Sequence, residues 1–182
     1  MELPDITYPV GDYIETAAGN KVSRFSFLSG SQNIVLSGRC IVKEDSILRG
    51  DLAQIRVGKY STIMRGAVLH PGFKTLAKSV AFFPLIIGEN VMIGEDTIVS
   101  AAQVGSYSYV GKNCVLGTHC VLKECCWIED DTVLPPETIV APFRVYAGNP
   151  GRPVRELPEC SQDLMNEHTR SYYKHFIGDT TK

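Results

Sequence analysis

Aliphatic residues recur along this chain every six positions. From Val104 the series runs through Val110, Leu116, Leu122, Ile128, Leu134 and Val140 and closes on Tyr146. Two positions ahead stands a smaller class, at Ala102, Ser108, Cys114, Cys120, Cys126, Thr132 and Thr138. Side chains two apart on extended chain point the same way. Each six-residue unit therefore predicts a short strand with two inward residues, followed by a corner. Glycine follows the aliphatic at Gly105, Gly111 and Gly117, as expected where a turning chain needs positive φ. A unit this short buries its apolar side only against a neighbour, so the pattern predicts stacked coils of parallel strands.

The same phase occurs earlier, with interruptions. Leu36, Val42 and Leu48 take the aliphatic slot, with Ile34, Cys40 and Ser46 ahead of them. The phase breaks over residues 49–54 and resumes with Val57, Ile63 and Leu69 behind Ile55, Ser61 and Ala67. It breaks again over residues 70–84 and resumes with Ile87, Ile93 and Val99 behind Leu85, Val91 and Thr97. A one-residue shortening over residues 100–103 leads into the perfect run. Every break follows a third unit. If three units make one triangular coil, all the interruptions leave the prism at the same corner, one above another.

Residues 1–27 carry turn signals at Pro4, Pro9, Gly11 and Gly19 but no firm period, which predicts entry strands and a cap. From Leu69 to Ile87 is eighteen residues, the length of one more coil, yet the aliphatic slots would hold Thr75 and Ala81. The segment is therefore read as a loop, and long loops inside compact domains are usually functional or mobile. Two readings stay open. Phe73, Phe82 and Phe83 with Lys74 and Lys78 fold back onto a prism face, or they project as a partner contact, since interface cores favour aromatic residues.

Past Gly148-Asn-Pro-Gly-Arg-Pro153 the period changes. Leu164, His168, Tyr172 and Phe176 recur every four residues with Met165 beside them. This predicts an amphipathic helix of about five turns over residues 159–176, laid along one prism face and capped by Gly178. The chain divides into a β-helix domain over residues 1–150 and a linker with the packed helix over 151–182.

Composition narrows the function. A chain of 182 residues buries roughly 70% of its unfolded surface and leaves no room for a second independent fold. A net charge of −2 and a pI near 6.1 give no basic field for nucleic acid and no polybasic face for membranes. No stretch approaches the ~20 apolar residues of a membrane span, and the N-terminal residues lack a basic n-region and apolar h-region. The expectation is a cytoplasmic protein with no nucleic-acid partner and no membrane insertion.

Of six cysteines, Cys40, Cys114, Cys120 and Cys126 fall in the small inward slot, where a thiol serves as a compact hydrophobe. Cys125-Cys126 matches no zinc spacing. Arg49-Gly-Asp51 is expected to form an ion pair at a corner. Of the histidines, His70 alone lies at the loop corner; His119 sits in a tight corner, His168 on the helix stripe as a packed or rim residue, and His175 apart from all of these.

The Leu/Ile/Val-Gly pattern resembles the left-handed parallel β-helix of the hexapeptide-repeat family, an exception to the right-handed crossover rule. Leu48-Arg-Gly-Asp-Leu-Ala-Gln-Ile-Arg-Val-Gly58, Gly66-Ala-Val-Leu-His70 and Ile87-Gly-Glu-Asn-Val-Met-Ile-Gly-Glu95 are similar to its gamma-class carbonic anhydrase branch. There, three histidines hold a zinc or related ion that activates water. The resemblance places those ligands on His70, Glu95 and Ser100, which leaves one histidine of three and a degenerate metal site.

A second resemblance covers nearly the whole chain. It rests on Tyr13-Ile-Glu-Thr-Ala17, Gly19-Asn-Lys-Val-Ser-Arg24, Gly30-Ser-Gln-Asn-Ile-Val-Leu36, Val80-Ala-Phe-Phe-Pro-Leu85, Leu134-Pro-Pro-Glu-Thr138, Glu156-Leu-Pro-Glu-Cys160 and Ser171-Tyr-Tyr173. These resemble the β-helical subunits of the dynactin pointed-end complex. The resemblance implies a non-enzymatic scaffold without a cofactor, located in the cytoplasm on the cytoskeleton. Its partners would be dynactin subunit 6 as a β-helix heterodimer, dynactin subunit 4, the pointed-end actin-related protein and dynein cargo adaptors at endosomes.

Three functional classes follow. The first is a protein-binding scaffold, with the prism's open ends and Phe73, Lys74, Lys78, Phe82 and Phe83 as contact candidates. The second is a metalloenzyme using His70 and Glu95 with ligands from a neighbouring chain. The third, an acyltransferase, has only His119 to offer as a base.

Overall fold

The aliphatic slots decide the architecture. In the computed structural model, which describes residues 3–180, they stack in three parallel rows inside a left-handed β-helix of about six coils. The first face aligns Val22, Val42, Ile63, Ile93, Val110, Ile128 and Tyr146. The second aligns Leu28, Leu48, Leu69, Val99, Leu116 and Leu134. The third aligns Leu36, Val57, Ile87, Val104, Leu122 and Val140. From Val42 to Val140 every one of these side chains is at most 2% exposed. Fully burying such a side chain is worth about 1.5–3 kcal/mol, so this column is the main source of stability. The rows begin at Val22 and Leu28, ahead of the Leu36 from which the sequence phase runs, because Gly30 and a short 3-10 turn at Ser31–Asn33 put eight residues instead of six between Leu28 and Leu36.

The glycine expectation was wrong in its reason. Gly105, Gly111 and Gly117 have no positive φ. The left-handed residue comes two positions later, at Tyr107, Asn113 and His119, and recurs at the other regular corners, including Asp45, Asn90, Asp96, Asp131 and Glu137. Its N–H donates to the corner carbonyl one coil earlier, as from Asn113 to Glu95 at 2.8 Å and from Asp131 to Lys112 at 2.9 Å. Glycine follows the aliphatic because successive coils approach closely there. A Cβ at Gly105 would lie 2.4 Å from the Lys123 carbonyl carbon and one at Gly111 2.4 Å from Asp130 Oδ1.

On the first face both ends are closed by antiparallel strands. Tyr13–Glu15 pairs with Lys21–Ser23, and Arg152–Glu156 with Arg144–Ala147. The end strands of the other two faces pair with no further described strand, although at the far end of the second Val133 donates to the Gly148 carbonyl at 3.0 Å and accepts from the Gly151 N–H at 2.7 Å. Arg144, in the small slot of the last unit, turns to an ion pair with Glu156 at 2.6 Å.

The C-terminal helix spans Ser161–His175, shorter than the sequence suggested. Gly178 does not cap it. The helix ends at Phe176 in extended conformation, and Phe176–Asp179 continues as a strand parallel to Ile6–Pro9. The buried stripe is also displaced: Met165, Thr169, Tyr172 and Phe176 pack down, while Leu164 is 60% exposed and His168 lies on the outside. Met165, Tyr172 and Phe176 share a cluster with Ile41 and Met92, the outward residues of the first face.

Candidate functional site

The corners joining first to second face, and third to first, always take six residues from one aliphatic to the next, as from Val42 to Leu48 and from Leu36 to Val42. Every irregularity lies at the remaining corner, between the second and third faces, as the spacing of breaks implied. Stacked there are the Ser31–Asn33 turn, the segment around Arg49-Gly-Asp51, and residues 70–84. Asn33 Nδ2 donates to the Gly50 carbonyl at 2.9 Å. Arg49 clasps Asp51 through both carboxylate oxygens, each at 2.9 Å, and this pairing holds the Asp51 carboxyl below the usual range.

Residues 70–84 are not an irregular loop. Phe73–Leu76 and Ser79–Phe82 form an antiparallel hairpin with Lys78 in its turn. It leans back along the prism edge. Phe83 packs edge-on against His119 with ring centroids 5.0 Å apart, His119 Nε2 lies 3.3 Å from the Phe73 carbonyl, and Lys74 Nζ lies 3.8 Å from Glu137. His119 and Glu137 are the left-handed residues of the second and third coils above, so tight corners form the hairpin's seat. Phe73 and Phe82 face each other across the strands at 5.9 Å. Phe73, Leu76, Val80, Phe82 and Phe83 nevertheless stay 36–54% exposed. The hairpin thus folds back onto the prism edge while its aromatic side chains keep part of their surface in solvent.

The three positions similar to hydratase ligands do not converge. His70 and Ser100 sit one coil apart at the hairpin corner, donating their N–H groups to Val99 and Leu116 carbonyls. Glu95 lies at the first-to-second corner, across a whole face, with Lys112 Nζ at 3.7 Å. Among the described residues no group of three His, Cys, Asp or Glu side chains is placed to hold a metal ion.

The slot cysteines pack as expected. Cys40, Cys114, Cys120 and Cys126 are at most 1% exposed, and burial raises each thiol, Cys126 to about 12. Such thiols stay protonated and unreactive at neutral pH.

Sequence reasoning missed two polar anchors of the helix. Asn90 is 2% exposed and donates from Nδ2 to Thr169 Oγ1 at 2.7 Å and Asn166 Oδ1 at 3.1 Å. Buried Lys21 donates to the Phe176 carbonyl and lies 4.7 Å from the Tyr173 ring; desolvation lowers its pKa. An asparagine in a turn and a lysine in a three-residue strand carry no sequence signal of burial. Also unforeseen is a cleft of about 520 Å³ above the helix start, lined by residues including Tyr107, Tyr109, Trp127, Leu157 and Met165.

Comparison with known proteins places these features. The profile of the dynactin subunit 5 family matches residues 1–182. Dynactin subunit 5 of Dictyostelium discoideum is 47% identical over 180 residues, which is 99% of this chain and 91% of that protein. Among solved structures, a hexapeptide transferase family protein from Anaplasma phagocytophilum superposes with a TM-score of 0.66 at 22% identity, over 85% of this chain and 89% of its own. An N-acyltransferase from Bacillus cereus gives 0.57 at 15% identity, over 84% and 87%. At such identities these two share the fold alone.

Proposed function

The chain belongs to the dynactin subunit 5 family, and from that premise we propose that it serves dynactin as a stiff, non-enzymatic β-helical subunit whose work is to be held by other proteins. In this reading it pairs with dynactin subunit 6, adjoins dynactin subunit 4 and the pointed-end actin-related protein, and helps dynein cargo adaptors attach cargo such as endosomes along the cytoskeleton. The observation that carries it is the end-to-end family match. A rigid column supports the reading physically, because a surface that is already ordered loses little entropy on association.

The contact is assigned to the hairpin. Phe73, Phe82 and Phe83 are aromatic, exposed and held in place from below, with Lys74 and Lys78 beside them. The hairpin is a sheet of two strands, and the outer side of Ser79–Phe82 pairs with no other described strand, which leaves that edge for strand addition. The hydratase reading is not favoured, since Glu95 stands a face away from His70.

The test is purification of the tagged full chain from cells with quantitative mass spectrometry of what co-elutes, for wild type and for Phe82→Ala with Phe83→Ala. Dynactin subunits are expected with wild type. The double variant should lose at least one partner while keeping its thermal transition. Unchanged recovery with unchanged folding removes the hairpin assignment. Stoichiometric zinc with carbon dioxide hydration by the pure chain overturns the scaffold reading itself.

A further inference from the structure

The outward rows of the three faces differ sharply. On the first face Ile41 and Met92 of the row are packed under the chain's own helix and the strand that follows it. On the third the row is broken by Arg56 and Gln103. On the second, six residues in register, Phe27, Ile47, Val68, Ile98, Val115 and Val133, are all apolar. Phe27 is 65% exposed, Ile98 42% and Val115 37%. An unbroken apolar row along a sheet marks an interaction surface.

We propose that the second face is the docking site for an amphipathic helix of a partner protein, laid along the prism axis with Lys and Arg on one flank. Its form follows from spacing. Strands repeat every ~4.8 Å along the prism and a helix advances ~5.4 Å per turn, so a helix along the axis sets about one stripe residue on each coil. The chain's own helix does this on the first face, where Thr169 meets Asn90 and Tyr172 meets Met64 one coil earlier. Six strands span about 24 Å, which about 16 helical residues cover. The charge follows from the bordering corner. Asp96, Asp130 and Asp131 line the edge beside Ile98, Val115 and Val133 and are exposed. They enter none of the ion pairs among the described residues, and Asp130 and Asp131 accept only from the Lys112 N–H and Asn113 Nδ2. A helix with a basic flank neutralises this edge; an acidic one is repelled.

The proposal goes beyond the hairpin assignment and stands if that fails. Its test is a photo-crosslinking amino acid at Val115 of the full chain, expressed in cells, with the crosslinked residues mapped by mass spectrometry. The expected result is a single segment of another protein, hit at spacings of three and four residues, with Lys or Arg on one flank. Hits at spacings of two, hits to a second copy of this chain, an acidic segment, or no crosslink would each overturn it. In a second arm, Val115→Asp is combined with the crosslinker at Ile98. The yield to the same segment should fall at least about tenfold, as expected when a carboxylate replaces a buried contact, with the thermal transition unchanged. Undiminished yield sinks the proposal.

Discussion

The coils above Val104 and those below it share a core and differ at one corner. Above, second and third faces are joined by a tight turn with His119 or Glu137 in the left-handed conformation. Below, the same junction holds a 3-10 turn, an ion-paired bend and a hairpin. The inward side chains do not register the difference: Leu48, Val57, Leu69 and Ile87 beside the breaks are as buried as Leu116 and Leu122 in the regular run. A β-helix coil is held by its ladder and its column, so whatever leaves the prism between two strands costs the core nothing. One corner was thereby free to vary in length and content while the other two stayed under packing constraint.

The largest expected effect tests that equality. Leu116→Ala should cost about 2–5 kcal/mol, the usual range for a buried Leu truncation, and Leu48→Ala beside a break should cost the same within that range. Ile139→Ala, on the outward side of the third face and 65% exposed, should stay within about 0.5 kcal/mol. Urea denaturation of the full chain measures all three. A much smaller loss at Leu48 than at Leu116 would mean that the insertions do loosen the lower coils.

The column was legible in the sequence because its signal is cumulative: Val104 to Val140 repeat one choice at one interval. The location of the breaks was legible for the same reason, since a phase slip after every third unit fixes a corner. The contents of the breaks were not. The six-residue pattern does not distinguish Phe73–Leu76 and Ser79–Phe82 from a loop, because they pair with each other outside the prism and their seat, His119 and Glu137, lies two and three coils away. The helix stripe was misplaced by one residue for a related reason. Leu164 and His168 fit a four-residue period, but Thr169 is drawn inward by Asn90, a contact between residues 79 apart. Ile6–Pro9 pairs with Phe176–Asp179, joining the two ends of the chain, and no local pattern announces such a partner.

A second substitution probes the corners, which both halves share. Gly105→Ala places a methyl 2.4 Å from the Lys123 carbonyl carbon and oxygen. These atoms belong to the next coil's backbone and cannot rotate away, so the expected loss is about 1–3 kcal/mol, as for overpacking. Gly148, at the end of the repeat with only the Pro150 carbonyl within reach at 3.5 Å, has room for a methyl; its φ of +96° still makes alanine unfavourable there. If Gly105→Ala is silent, close approach is not why glycine follows the aliphatic.

The smallest effect separates that steric reason from the conformational one. Asn113 is exposed, left-handed with φ of 53°, and bonded through its N–H to Glu95 and through Nδ2 to Asp131. Asparagine tolerates this region and glycine occupies it freely, while an ordinary L-residue loses about 1–2 kcal/mol there. Asn113→Ala should therefore cost about 1 kcal/mol, and Asn113→Gly less than half of that, since it gives up the side-chain bond but relieves the backbone. The two variants remove the same amide, so the difference between them isolates the backbone. Equal losses would place the stabilisation in the Asn113–Asp131 bond and leave the left-handed corner without energetic consequence. A clear gap would mean that the corners are shaped residue by residue at this position, two residues beyond the glycine that the six-residue pattern makes conspicuous.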